Sequence, residues 1–282
     1  MGSGSWTTSA YNCSIRDMGF TSAADISRSS TQSFYKQKKI ADKLNPKGVI
    51  RECRDSEEHP NTIPVILALD VTGSMGKAAR TCAAKLDDIM TDLYKDITDV
   101  EFLMMGIGDL FYDDAPIQAS QFESDIRILD QTSKIYFEGG GGPNGWESYT
   151  SAWYFGLYNT DLDIWKRGGK GIIITLGDEP LNPYLDYRNL NNSLGCAVQS
   201  DIETGPLYKD ASEKFDIFHI NILDSDSRRG TIKDVEASWK KVLGENYFEG
   251  ECKDLPQLIG QIVRKSIGST GTAVKSGEGI AW

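Results

Sequence analysis

Histidine is scarce in this chain of 282 residues: His59 and His219 are the only two. They lie far apart in the sequence, and neither has an obvious third partner for a Ser-His-Asp or Cys-His arrangement. The sequence therefore gives no support for nucleophilic catalysis that uses a histidine base. His219 lies in the strand-like segment 215–221, which predicts a histidine packed in the core.

Positive charge is also in short supply, with 30 Lys and Arg residues against 41 Asp and Glu residues and a formal net charge of −11. Nonspecific binding to nucleic acid depends on basic residues that release counterions from phosphate. We therefore expect no nucleic-acid partner. An acidic surface fits cation binding, and it fits simple solubility equally well.

Cysteines are few, odd in number and scattered, and no Cys-x-x-Cys pair occurs. The five are Cys13, Cys53, Cys82, Cys196 and Cys252. This usage predicts free thiols in a reducing compartment rather than disulfides or a zinc site.

Long hydrophobic runs are missing, since no apolar stretch approaches the roughly 20 residues of a membrane span. Residues 1–6 contain neither the basic nor the apolar segment of a secretory signal. We expect no membrane contact, and a location in the cytoplasm or inside a virion or another assembly. The phosphate-binding pattern Gly-x-x-x-x-Gly-Lys-Ser/Thr is absent too, so we do not expect a P-loop ATPase.

The sequence does contain an alternation of apolar strands and amphipathic helices. Buried strands are predicted at 63–69, 100–107, 171–176 and 215–223, and helices at 76–97, 231–243 and 254–267. The alternation predicts an α/β fold, with a doubly wound, mostly parallel central sheet of about six strands flanked by helices. In such sheets ligands bind beyond the carboxyl ends of the strands, where the strand order reverses.

Composition divides the chain into three predicted parts. Residues 1–60 form an N-terminal extension, with an irregular arm rich in Ser, Thr and Gly over 1–33 and a short helix over 34–44. Residues 61–268 form the α/β domain, and 269–282 form a flexible tail. Within the domain, the polar segment 181–210 predicts long loops followed by a helix over 208–214.

Oxygen-bearing side chains follow the predicted strands directly. Asp70, Thr72 and Ser74 come after the strand at 63–69 in the sequence Asp-Val-Thr-Gly-Ser, and Asp178 follows the strand at 171–176. Carboxylates and hydroxyls are hard ligands of the kind that Mg²⁺ prefers. Because parallel strands end at one edge of a sheet, these side chains are predicted to lie close together.

This pattern resembles the metal-ion-dependent adhesion site (MIDAS) of von Willebrand factor type A (VWA) domains, over residues 61–267. In that family Asp-x-Ser/Thr-x-Ser is followed by a polar ligand from a second loop and an Asp from a third. Asp70, Thr72 and Ser74 match the first loop, and Asp178 matches the third. The glycine-rich segment 139–150 lacks the usual Thr after Gly-Gly and is similar to relatives with Glu-Ser after a glycine run. Its candidate ligands, in order of preference, are Glu147, Asn144, Ser148 and Thr150.

The resemblance implies a bound Mg²⁺ or Mn²⁺ with one open position, which an acidic side chain of a protein partner fills. The chain is therefore expected to be a non-enzymatic, divalent-cation-dependent protein-protein interaction module. Relatives of this general kind are intracellular bacterial or phage proteins. The fold that the resemblance implies agrees with the one predicted from the strand and helix pattern.

Several alternatives are open at this point. The Asp-x-Thr-x-Ser motif also fits a simple helix start in which Ser74 is the cap. Asp109, after the strand at 100–107, fits a role behind the metal ligands and equally a turn at a strand end. A structural subunit of a larger assembly, such as a phage particle, would keep the fold with a degenerate site. A metal-dependent hydrolase would use the acids Asp70, Asp109, Asp178 and Glu147 around one or two cations.

Overall fold

The computed structural model describes residues 4–139, 142–226 and 231–269, and within them it contains eleven α-helices and ten strands. The helices are α1 (Thr8–Asp17), α2 (Ala23–Arg28), α3 (Thr31–Phe34), α4 (Gly76–Ala84), α5 (Leu86–Leu93), α6 (Arg127–Thr132), α7 (Ser151–Tyr158), α8 (Tyr187–Leu194), α9 (Thr204–Ser212), α10 (Ile232–Leu243) and α11 (Leu255–Ser269). The strands are β1 (Arg51–Cys53), β2 (Ile63–Asp70), β3 (Val100–Ile107), β4 (Ile117–Ala119), β5 (Thr160–Leu162), β6 (Gly171–Gly177), β7 (Tyr184–Leu185), β8 (Ile202–Glu203), β9 (Phe215–Ile222) and β10 (Tyr247–Gly250). None of the helices in these ranges is both long enough and apolar enough to cross a bilayer. The tail predicted over 269–282 lies outside the described residues, apart from residue 269.

Six strands form the central sheet in the order β10-β9-β6-β2-β3-β4. Neighbours are parallel except β4, which runs antiparallel to β3 at one edge. The chain enters at the centre through β2, moves outward through β3 and β4, and then returns to β6 on the other side of β2. The doubly wound α/β fold is therefore confirmed, and its switch point lies between β2 and β6.

Strand β2 is apolar along its length because helices cover both faces of the sheet. Its side chains at Val65, Leu67 and Leu69 pack into the core shared with α4, α5 and α11. Those at Ile66 and Ala68 pack into the opposite core, shared with α7, α9 and α10. The loop that follows β2 therefore lies at the end of a strand with a hydrophobic core on each face.

The strand register brings the predicted acidic loops to one edge. Asp70 pairs with Ile107 of β3, and Leu69 pairs with Leu176 of β6. The three strands therefore end at the same level, and their following loops meet there. The acidic residues at this edge are Asp70, which ends β2, Asp109, which follows β3, and Asp178, which follows β6.

The N-terminal extension differs from its prediction. The arm over 1–33, expected to be irregular, forms α1, α2 and α3, whereas the helix expected over 34–44 is only the 3₁₀ turn Asp42–Leu44. Ser and Thr residues act here as helix caps, since the side chains of Thr7, Ser22 and Ser30 each accept a backbone N–H at a helix start. Between residues 4 and 36 the extension buries seven large side chains: Trp6, Tyr11, Ile15, Phe20, Ile26, Phe34 and Tyr35.

The prediction of long loops over 181–210 is also wrong. The segment contains β7, α8, β8 and α9. Helix α8 has only two buried side chains, Leu190 and Leu194, which are one turn apart. It begins where the Asp186 side chain accepts the Asn189 N–H at 2.8 Å and ends at Gly195, whose φ of 71° is left-handed. The two buried leucines and the caps at Asp186 and Gly195 thus stabilise a helix in a sequence that is otherwise polar.

Candidate metal centre

Asp70 and Thr72 form the first part of the site. Asp70 ends β2 and is fully buried. Its Oδ1 accepts hydrogen bonds from the Thr72 backbone N–H at 2.8 Å and from the Thr72 hydroxyl at 2.6 Å. Because the hydroxyl hydrogen is directed at the carboxylate, the lone pairs of Thr72 Oγ1 are available to a cation.

Ser74 connects the first loop to the third. Its hydroxyl donates to Asp178 Oδ1 at 3.0 Å, across the switch point between β2 and β6. Neither the 3₁₀ turn Gly73–Met75 nor α4 has a side-chain cap bond at its start. The alternative that Ser74 is only a helix cap is therefore wrong.

Tyr149 is a site residue that the sequence analysis missed. Its hydroxyl donates to Asp70 Oδ2 at 2.7 Å, so both oxygens of that carboxylate are held. The ring lies against the end of β6, where a Cβ on Gly177 would stand only 2.1 Å from the tyrosine oxygen. The signal in the sequence was an aromatic residue with a polar tip next to Glu-Ser, paired with a glycine just before Asp178.

Glu147 is a buried carboxyl group whose pKa responds to the charge of Asp70. It is 4% exposed, and its Oε2 has no hydrogen-bond partner among the described residues. Burial and then the charge of Asp70 raise the pKa of Glu147 to about 11. Burial and then the charge of Asp178 raise the pKa of Asp70 to about 7. In the described part of the chain no Lys or Arg forms an ion pair with Asp70 or Glu147, so a bound cation would stabilise both.

Two of the other second-loop candidates are engaged elsewhere. The Ser148 hydroxyl accepts the Leu110 backbone N–H at 3.0 Å. The Thr150 hydroxyl accepts from the Asn182 side-chain amide at 2.7 Å. Both residues help to position the loop, and Glu147 is the candidate whose pKa is raised by the charge of Asp70.

Asn144 lies beside Asp109 rather than beside Asp70. A Cβ on Gly142 would stand 2.7 Å from Asn144 Oδ1 and 2.7 Å from Asp109 Oδ2, so the glycine permits this close approach. Asp109 is fully buried, and its Oδ1 accepts the Phe111 N–H at 2.8 Å, which forms a turn. Burial raises its pKa, and the hydrogen bond from the Phe111 N–H partly offsets this. Asp109 therefore shapes the strand-end turn, and its charge also reaches Glu147.

His219 is packed in the core, as predicted. It is fully buried, and its ring stacks on Trp239 with 3.6 Å between the ring centroids. Nδ1 forms a hydrogen bond with the Thr175 hydroxyl at 2.9 Å. Burial lowers the pKa of His219 well below its usual value, so this ring is neutral and structural.

The donor set at this edge suits a hard cation only if the hydroxyls take part. Within the described ranges, no three carboxylate, thiol or imidazole groups converge closely enough to form a metal site by themselves. Hydroxyls and carboxylates together fit Mg²⁺ or Mn²⁺, which take oxygen ligands and retain water. Such a cation would offset the buried negative charge and present an electrophilic position. The residues that would hold it are Asp70, Thr72, Ser74, Glu147 and Asp178.

Replacing Tyr149 by phenylalanine tests the support of Asp70. Tyr149→Phe removes a buried donor to a carboxylate, and we expect the free energy of unfolding to fall by about 1–3 kcal/mol. Urea unfolding in EDTA measures this. Tyr158→Phe is the matched control, since Tyr158 is 53% exposed. Equal stability of the two variants would contradict the assigned role of Tyr149.

Comparison with known proteins gives fold similarity only. No family model and no curated relative matches the chain. Among solved structures, the pilus adhesin SpaC from Lactobacillus rhamnosus GG in its open conformation aligns over 79% of this chain and 31% of its own, with 12% identity and a TM-score of 0.49. The vWF domain of the type V pili tip protein Mfa5 from Porphyromonas gingivalis aligns over 75% of this chain and 97% of its own, with 12% identity and a TM-score of 0.44. The chain thus spans about a third of SpaC, and at these scores neither similarity carries an argument about binding.

Proposed function

We propose that this chain is a divalent-cation-dependent protein-interaction module. Mg²⁺ or Mn²⁺ is held by Thr72, Ser74 and the carboxylates around them, and a protein partner supplies a further carboxylate to the cation. The observation that carries the proposal is the pair of buried carboxyl groups, Asp70 and Glu147, which have no basic partner among the described residues. The Asp70 carboxylate accepts the Thr72 hydroxyl, and the Ser74 hydroxyl donates to Asp178. Buried carboxyl groups without a basic partner either take up protons or need a cation.

The attraction for a partner carboxylate comes from the cation. The start of α4 is a second source of positive potential, but a side chain of the chain itself already uses it. Asp226 Oδ2 accepts the Lys77 N–H at 3.1 Å, and the Asp226 N–H donates to the Ser74 carbonyl. In a metal-free protein the surrounding acids therefore repel an acidic partner, which makes binding depend on metal.

The cellular setting stays a prediction. A cytoplasmic protein, or one carried inside a virion or a larger assembly, agrees with the five cysteines, which are free thiols in the fold. No residue is assigned a catalytic role in this proposal. A structural subunit with a degenerate site and a metal-dependent hydrolase are outcomes that the experiments below distinguish.

Metal titration tests the site. At a Mg²⁺ concentration of 100 times Kd, we expect the free energy of unfolding to rise by about 2.7 kcal/mol, and the melting temperature to rise by several degrees. Asp70→Ala should show no metal response, and Asp210→Asn, a change at an exposed residue of α9, should respond as the wild type does. A wild type that melts at the same temperature with Mg²⁺, Mn²⁺ and EDTA would sink the proposal and favour the structural subunit.

A matched pair of peptides tests the carboxylate. Acetylated peptides that differ only by Asp against Asn are titrated in Mg²⁺ and in EDTA. We expect saturable binding of the Asp peptide in Mg²⁺ alone, because only its carboxylate can ligate the cation. Equal binding in EDTA would contradict metal bridging. Hydrolysis of a phosphoester that Asp178→Ala abolishes would instead support the enzyme.

A further inference from the structure

Exposed apolar side chains are concentrated at the edge of the sheet that carries the metal centre. Six large apolar or aromatic residues are exposed in the described part of the chain: Ile50, Phe111, Tyr112, Tyr158, Leu223 and Ile232. Four of the six follow β3 or β9 or begin α10, at the carboxyl ends of the strands. Adjacent exposed apolar residues, such as Phe111 and Tyr112, are typical of an interaction surface, whereas single ones are ordinary.

The loop from β3 to β4 carries the two most prominent of these residues. Phe111 is 45% exposed and Tyr112 is 56% exposed. The Phe111 ring contacts Tyr112 and also Tyr184, at 6.3 and 6.4 Å between centroids. The Tyr112 ring also approaches Gly142, which lies against Asp109. The aromatic patch of Phe111, Tyr112 and Tyr184 therefore lies next to Asp109.

The same loop lines a cleft of about 290 Å³ that contains two carboxylates, Asp113 and Asp114. Its other polar lining residues include Asn189 and Asn192 of α8 and the segment 45–47. Exposed Lys47 is its single basic residue. The cleft and the aromatic patch are thus two parts of one surface, joined through the β3–β4 loop.

Negative charge on this surface has no basic partner in the described ranges. Asp113, Asp114 and Glu138 form no ion pair there. Two of them accept backbone N–H groups instead: Asp113 from Asp109, and Glu138 from Asp114 and Ala115. The cation–π contacts of the described residues involve other rings than Phe111, Tyr112 and Tyr184. The Asp114 carboxylate and the ring faces are therefore available to an incoming cation.

We propose that this surface, formed by the β3–β4 loop and the neighbouring cleft, receives a lysine or arginine side chain of a protein partner. The aliphatic stem of that side chain packs on Phe111 and Tyr112, and its charged head enters the cleft lined by Asp113 and Asp114. Aromatic faces and carboxylates together attract cations more strongly than either does alone. The inference goes beyond the metal centre, because the basic side chain binds without any metal.

The test uses two peptide probes that differ in one group. The first is acetyl-Ala-Arg-Ala-amide, and the second replaces arginine by citrulline, its neutral isostere. Both are titrated into the ¹⁵N-labelled protein in EDTA and followed by backbone amide shifts. We expect saturable shifts at residues 110–115 with the arginine peptide, with a Kd on the order of millimolar, and no saturable shifts there with citrulline.

Matched variants locate the binding surface. Tyr112→Ser and Asp114→Asn should each weaken binding of the arginine peptide by about fivefold. Tyr158→Ser and Asp210→Asn change an equally exposed aromatic residue and an exposed acid elsewhere, and should leave binding unchanged. Asp178→Asn should also leave it unchanged, so that failure of the metal centre is distinguishable from failure of this surface. Equal binding of citrulline, or equal loss in the control variants, would overturn the inference.

Discussion

Deleting residues 1–36 is expected to abolish cooperative folding of the rest of the chain. The seven large side chains that residues 4–36 bury lie in one continuous core with Val65, Leu67 and Leu69 of β2. Full burial of each contributes roughly 1.5–3 kcal/mol, so the gross loss is comparable with the 5–15 kcal/mol by which domains are typically stable. The sum is an upper bound, since deletion also removes the conformational entropy that these residues lose on folding.

Circular dichroism and thermal melting of a protein that comprises residues 37–282 measure whether the truncated chain still folds cooperatively. We expect an aggregated or molten protein without a cooperative transition. Deletion of residues 1–3 alone is the control and should melt as the full chain does. A truncated protein that melts cooperatively within a few degrees of the full chain would contradict the prediction, and would show that the extension is an independent appendage.

Helix α4 explains why the extension is part of the core. Its residues Ala78, Ala79, Cys82, Ala83 and Ala84 are all buried, although a helix on the surface of a domain normally has one polar face. Helices α2 and α3 cover the side that the sheet leaves open. The hydroxyl groups of Tyr11 and Tyr35 donate to carbonyls of α4, at Ala84 and Ala79. The small side chains of α4 were the sequence signal for this cover.

The central sheet was predictable because its signal is local. Strands such as β2, β3 and β6 are continuous apolar runs, and a buried run of that length has few other structures available. The extension was not predictable in the same way, because its anchors are single residues separated by polar ones. Trp6, for example, packs on Tyr11 and donates to Asp87, 81 positions away, and such a contact has no periodicity.

The candidate site shows the same contrast between residues that local sequence predicts and residues that only long-range contacts reveal. Asp70, Thr72 and Ser74 are adjacent in sequence, so spacing alone brought them together. Tyr149 has no spacing rule, since it reaches Asp70 only because Gly177 leaves room for its ring. The choice among second-loop residues likewise depended on which hydroxyls the backbone of other loops uses, as with Ser148 and the Leu110 N–H. Long-range contacts decide such details.

Asp178→Asn is expected to change the metal-free protein and the metal-bound protein in opposite directions. Without metal, the substitution removes a charge that repels Asp70, and the amide oxygen still accepts the Ser74 hydroxyl. We expect the free energy of unfolding in EDTA to rise by about 1 kcal/mol, because like charges in a buried site destabilise the fold. With Mg²⁺ at 100 times the wild-type Kd, the variant should lose most of the gain of about 2.7 kcal/mol, because a carboxylate ligand has become a neutral amide.

Thermal melting of the wild type and of Asp178→Asn, each in EDTA and in Mg²⁺, gives the four melting temperatures to be compared. The order of stability should invert: the variant melts higher in EDTA, and the wild type melts higher in Mg²⁺. Asp210→Asn should show neither change. A purely structural carboxylate would lower stability in both buffers when replaced, because its hydrogen bonds would weaken whether or not metal is present. Inversion is therefore the signature of a buried acid that is retained for a cation, at a cost of about 1 kcal/mol to the metal-free fold.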